Sequence, residues 1–151
     1  MRGFEIRDAM SSDRDAMVSV ERAGQNEPAR VAFIERSLRS ATCLVAEREG
    51  RLIAYGVLEY WFFDNGFVSM VYVAEPERRQ GVGRALLEEL AERCVTPKLF
   101  TSTNESNRPM QQLLHLLGYV PSGVVENLDP DDPELFYFLD LDARRPTRRF
   151  G

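Results

Sequence analysis

The sequence predicts a single α/β (α+β) domain. Its expected architecture is a mixed, twisted seven-stranded sheet with four helices, in the order β-α-α-β-β-β-α-β-α-β-β. Three observations predict it. Apolar residues recur at helical spacing in four segments, and as short β-branched or aromatic runs in seven others. Three of those runs, between Cys43 and Ala74, are separated by tight-turn residues and read as an antiparallel meander. A strand–helix–strand unit over residues 67–103 makes two strands parallel neighbours. A chain of 151 residues is one domain that can bury a real core.

The first strand is Phe4 to Arg7. Ser11 and Ser12, followed by Asp13 and Asp15, signal a helix start with acids in its first turn. Ala16, Met17 and Val20 form its stripe, and Gly24 is expected to end it. Pro28 suits the first position of a second helix, with Val31, Ile34 and Leu38 on its apolar side. Strands follow at Cys43 to Glu49, Leu52 to Phe63 and Phe67 to Ala74, with turns at Glu49-Gly50 and Asp64-Asn65-Gly66. The third helix carries Val82, Leu86, Leu90 and Cys94 on one face. A fifth strand is expected at Leu99 to Thr103 and a fourth helix from Pro109, with Met110, Leu113, Leu114 and Leu117 inward and Gly118 as its terminator. The last strands are Tyr119 to Glu126 and Glu134 to Leu141, joined by an acidic loop. Domain limits of 1–143 follow, with 144–151 as a basic C-terminal tail.

Composition excludes several classes. The chain is 44% hydrophobic and 28% charged, which is ordinary for a soluble protein. No apolar run approaches membrane-spanning length, and the first residues lack the apolar core of a signal peptide. Two cysteines and one histidine cannot build the usual structural zinc site, so no metal is expected. Cys43 and Cys94 read as buried thiols, and the expected compartment is the cytoplasm. Net charge is −5, and setting aside Arg144, Arg145, Arg148 and Arg149 leaves −9 on the rest. An acidic body argues against nucleic acid, whose phosphates dominate its affinity. It favours cationic partners, and with the loop Asp129 to Glu134 it leads us to expect amines bearing a second positive charge as the better acceptors.

The chemistry is concentrated between Val71 and Cys94. An apolar strand breaks at Pro76, passes Arg78 and Arg79, turns at Gly81 and Gly83, and becomes an amphipathic helix. The first amides of a helix have no internal partner, and the macrodipole adds about half a positive charge there. Glycines admit an anion close to the backbone. Arg78, Arg79 and Arg84 add full charges. The spacing is not that of a P-loop, which needs Gly-Lys-Ser/Thr, nor of a dinucleotide fingerprint, whose third glycine is replaced by Leu86.

Arg78-x-x-Gly81-x-Gly83 after a strand, with the helix behind it, resembles the acetyl-CoA motif of the GCN5-related N-acetyltransferases. The element order resembles that family's fold from Phe4 to Leu141. The resemblance implies acetyl-CoA as cosubstrate, its pantetheine arm along the backbone of Val71, Tyr72 and Val73. It puts the pyrophosphate on the amides of Arg79, Gln80, Gly81, Val82, Gly83 and Arg84 beside Arg78, and Asn107 near the pantetheine. It implies acetyl transfer to a primary amine, on a small molecule or a peptide, and leaves room for a homodimer. Two departures stand out. Where many members carry a tyrosine acid this chain has Leu114, and where some carry a glutamate base it has Ser102. His115, beside Leu114, is rotated about 100° away on a helix. Glu59 is therefore the expected base, with Glu126 behind it, and Tyr60, Tyr72 and Tyr119 are the candidate acids. The missing tyrosine also keeps open a non-catalytic acyl-CoA-binding sensor or regulatory domain.

Overall fold

The computed structural model describes residues 3–21 and 27–145. The expected helix stop at Gly24 and the arginines at 148 and 149 lie outside the described residues. Seven strands form one mixed sheet in the order β1-β2-β3-β4-β5-β7-β6. They are β1 Glu5–Asp8, β2 Thr42–Arg48, β3 Arg51–Phe62, β4 Asn65–Val73, β5 Lys98–Asn104, β6 Val120–Val125 and β7 Glu134–Asp140. The helices are α1 Arg14–Val20, α2 Pro28–Ser40, α3 Val82–Arg93, α4 Arg108–Leu116 and a short α5 Leu141–Arg144. Short 3-10 turns precede α1 at Ser11–Asp13 and follow β4 at Glu75–Glu77.

The chain is packed as two compact units. One holds residues 1–59 and 70–93, the other 60–69 and 94–151. In the first, β1 and β2 pair antiparallel, as do β2 and β3. Alternation along the strands sorts side chains to two faces. Cys43, Val45, Tyr55 and Val57 form one core with Met17 and Ile34, from α1 and α2. The opposite side meets α3, where a Cβ on Gly56 would lie 2.9 Å from Leu90 Cδ1. Leu86 and Leu90 are fully buried, which stabilises the fold by about 1.5–3 kcal/mol each. Asp13 fastens β1 to the first helix turn. Its carboxylate accepts from both terminal Arg7 guanidinium nitrogens, at 2.8 and 2.9 Å, and from the Met10 N–H at 2.7 Å. Arg7 also binds Glu47, at 2.6 Å.

In the second unit β4 runs parallel to β5, with Gly66, Phe67 and Val68 opposite Leu99, Phe100 and Thr101. Strand β7 pairs antiparallel with β5 and with the edge strand β6. The turn before β4 differs from expectation. Its left-handed residues are Phe63 and Asp64, at φ 52° and 63°, and Asn65 and Gly66 already belong to β4. Gly66 is there for space, because a Cβ would fall 2.4 Å from Cys94 Sγ. Thr96 Oγ1 accepts the Gly66 N–H at 2.9 Å. The short α5 was not expected. Asp140 caps it by accepting the Ala143 N–H, and Arg144 and Arg145 donate to the Leu117 and Cys94 carbonyls. Two arginines of the expected tail are thus tied into folded structure.

Candidate active site

In the first unit, β4 ends at Val73, and the Ala74 N–H is bound by the Ile53 carbonyl at 2.8 Å. The 3-10 turn that follows is held from outside. Glu77 receives Arg48 at 2.9 Å and Arg51 at 3.2 Å, and Arg48 also reaches Gln80 Oε1 at 3.0 Å. Gln80 donates in turn to the Pro76 carbonyl at 3.4 Å. Its side chain therefore braces the loop. Arg78 is engaged as well: its Nε donates to the Val73 carbonyl at 2.9 Å. Arg79 is exposed at a left-handed φ of 64°, and its side chain has no partner among the described residues.

Gly81 follows at φ 84°, a conformation only glycine adopts without strain. Its carbonyl accepts the Ala85 N–H at 3.0 Å and so opens α3. The amides of Val82, Gly83 and Arg84 precede that bond and have no helical acceptor. Nothing lies within 4 Å of the space a Gly81 Cβ would take. Arg84 is half-exposed and stands 3.7 Å from Glu88 one turn on. A cradle of free amides with cations at its rim is what a multiply charged anion needs.

In the second unit, Asn107 caps α4, its Oδ1 accepting the Met110 N–H at 3.3 Å. Its exposed Nδ2 has no partner among the described residues. The preceding loop is pinned by two acids. Asn104 Nδ2 donates to Asp129 at 2.9 Å, and Asp132 takes the Ser106 N–H and hydroxyl at 3.0 and 2.7 Å. These carboxylates hold structure, so the charge expected to face an acceptor is partly spent on the protein itself.

Leu114 is fully buried in α4, while His115 is exposed. Glu59 is half-buried on β3 with no partner among the described residues, and Glu126 is exposed. Burial pushes the Tyr60 hydroxyl up, and that oxygen accepts the Val95 N–H at 3.1 Å. Burial also raises Tyr119, whose hydroxyl sits unpartnered inside the second unit, out of reach of a substrate. Tyr72 stays half-buried, its ring 6.4 Å from that of Tyr55. Burial pushes the Cys43 thiol up to about 12, which removes it as a nucleophile. One polar pair went unforeseen: the Ser102 hydroxyl donates to Glu134 Oε2 at 2.7 Å. The register of β5 on β7 creates it, and no local pattern announces that register.

Among the described residues no helix is long and apolar enough to cross a membrane. Among them, too, no group of three or more His, Cys, Asp or Glu side chains is placed to hold a metal.

Comparison with known proteins identifies the family. No curated protein matches the sequence. An acetyltransferase of the GNAT family from Bacillus cereus is 30% identical, with 91% of this chain and 96% of that one covered at a TM-score of 0.84. The yncA protein of Salmonella typhimurium, solved with its cofactor acetyl-CoA, is 23% identical over 93% of this chain and 95% of its own, at a TM-score of 0.75. The ribosomal-protein-S18-alanine N-acetyltransferase of Escherichia coli is 21% identical over 91% and 93%, at 0.77. The family model "Acetyltransferase (GNAT) family" matches residues 7–119, from β1 to the residue before β6. That model spans most of the chain, and the chain belongs to the GNAT acetyltransferase family.

Proposed function

We propose that the protein transfers the acetyl group of acetyl-CoA directly to a primary amine, on a small molecule or a peptide. The observation that carries this reading is the opening of α3, where free amides follow Arg78, Arg79 and the left-handed Gly81. Arg79 through Arg84 would hold the pyrophosphate, and the backbone of Val71, Tyr72 and Val73 the pantetheine arm. The Salmonella relative was solved with its cofactor acetyl-CoA, which supports acetyl-CoA as the donor.

The chemistry follows from the thioester. A neutral amine attacks the carbonyl carbon, the C–N bond forms, and the C–S bond breaks to release the CoA thiolate. The proton shed by the nitrogen goes to a base and one is returned to the sulfur. An alkylamine with a pKa near 10.4 is neutral about once in 10³ molecules at pH 7, so a carboxylate that takes its proton is useful. Glu59 is the proposed base. Leaving-group protonation falls to solvent, since Leu114 has no acidic proton.

A second reading, an acyl-CoA-binding sensor without turnover, is favoured by the buried, apolar Leu114. Calorimetry with acetyl-CoA and thiol release in the presence of an amine panel separate the two. Binding together with amine-dependent release supports transfer, whereas binding with no release from any amine supports the sensor.

A further inference from the structure

The second unit presents a face that the cofactor cradle does not use. Along β5 and β7 the register sets Phe100 opposite Phe138 and Ser102 opposite Phe136, so these side chains share one face with Glu134. Phe67 on β4 pairs with Phe100 and lies on the same face. The rings are joined: Phe62 stands 5.0 Å from Phe100 and 5.8 Å from Phe136, and Phe100 stands 5.3 Å from Phe138. Phe67 is buried beneath them, and Phe62, Phe100, Phe136 and Phe138 are half-buried. Trp61 and Phe63 extend the aromatic surface at the hairpin, 59% and 83% exposed. An aromatic face left partly open to water marks a binding surface more often than a finished core.

Glu134 lies at one end of this face, and Lys98 and Asp140, paired by the same register, lie at the other. Glu134 is half-buried, held at Oε2 by the Ser102 hydroxyl, and no cation pairs with it among the described residues. Its Oε1 retains its acceptor capacity. Phenylalanine rings with an unpaired carboxylate at their end complement a ligand with one positive group on an apolar body. Ring faces also attract ammonium groups.

We infer that the face of Phe62, Phe100, Phe136 and Phe138, ended by the Ser102–Glu134 pair, binds a primary amine carried on an apolar, ring-sized group. Glu134 receives its ammonium and the rings its body. The inference rests on the acetyltransferase reading only in taking that amine as the acetyl acceptor.

The test uses the full chain and 2-phenylethylamine, with 2-phenylethanol, ethanolamine and spermidine as comparisons. Calorimetry without acetyl-CoA should show 2-phenylethylamine binding at least about tenfold more tightly than ethanolamine, from the ring area removed from water. Glu134→Gln should weaken 2-phenylethylamine about tenfold and leave 2-phenylethanol unchanged, a contrast that general loss of structure would not produce. Phe136→Ala should weaken both ring ligands, with Phe136→Leu as the milder variant if alanine impairs folding. In thiol-release assays 2-phenylethylamine should outrank ethanolamine and spermidine. Spermidine or ethanolamine turning over faster, or Glu134→Gln weakening both ring ligands alike, overturns the inference and leaves the acetyltransferase reading standing. Binding with both variant effects but no thiol release from any amine keeps the site and removes the acetyltransferase reading. A dimer that Phe136→Ala dissociates, with no amine bound at the face, overturns the inference in favour of a second copy.

Discussion

The guanidinium of Arg78 stands over the ring of Tyr72, 5.3 Å from its centroid, while its Nε holds the Val73 carbonyl. The first arginine of the motif is therefore a brace between the end of β4 and the loop that leads into α3. Its loss should loosen the cradle without removing it. We expect Arg78→Ala to weaken acetyl-CoA by about 1–2 kcal/mol, roughly tenfold, in calorimetry.

Gly83 is a stronger test of the same cradle. It is the second residue of α3, where valine costs the helix only about 0.5 kcal/mol relative to alanine. Gly83→Val should therefore fold with little change in Tm, yet its branched Cβ should bar a phosphate from the amides. Acetyl-CoA binding should fall at least a hundredfold, on the order of 3 kcal/mol. Normal binding would show that the anion site lies elsewhere.

Position 66 gives a prediction about stability alone. Gly66→Ala should destabilise the protein by about 2 kcal/mol or more, through overpacking against Cys94 Sγ. Cys94→Ala should recover part of the loss, because the two sites are coupled. Urea unfolding of both single variants and the double variant measures the coupling. The same Cys94→Ala variant should retain thiol release, and mass spectrometry after acetyl-CoA alone should show no acetylated cysteine.

Asp13 predicts a pH dependence. The Arg7 hydrogen bonds hold its folded pKa below the ordinary carboxylate value. Its contribution is then fully present above the unfolded pKa of about 3.9 and is lost as pH falls through the lower folded value. Asp13→Asn should cost about 1–3 kcal/mol near neutrality, and the gap to the native protein should close in strong acid. A constant gap from pH 7 to pH 2 in thermal unfolding would rule out this linkage.

The acidic loop predicts a salt effect once its structural acids are set aside. Asp132 binds Ser106, so its removal disturbs the start of α4. Asp131 is exposed, and no partner is seen for it among the described residues. Asp131→Asn should lower kcat/KM for a cationic amine modestly, with a difference that fades as ionic strength rises and charges beyond about 8 Å are screened. A difference that persists at high salt would mean that Asp131 acts by contact.

Local pattern carries far here where it is periodic, and fails where distance along the chain decides. The α3 stripe of Val82, Leu86 and Leu90 is a 3.6-residue period, and the glycines before it state their own conformational need. Asn107 announces a helix cap by its place before Arg108 and Pro109. Gly66, by contrast, looked like a turn glycine because its reason is a sulfur at position 94. The engagement of Arg78 with Tyr72 depends on how the loop folds back. The Ser102–Glu134 bond depends on strand register across a 32-residue separation, and registers are fixed by the assembled sheet.

Strands β3 and β4 each pass from one compact unit to the other, so the hairpin from Tyr60 to Ser69 belongs with partners that begin at Cys94. On a ribosome, a chain released as far as Arg93 has the whole sequence of the first unit. It also displays Trp61, Phe62, Phe63 and Phe67 with none of β5 or β7 yet made. The second unit must wait for the chain from Cys94 onward before it can close. Those four aromatics are thus the stretch where a nascent chain most needs shielding, and slow translation just after Arg93 should favour aggregation through them.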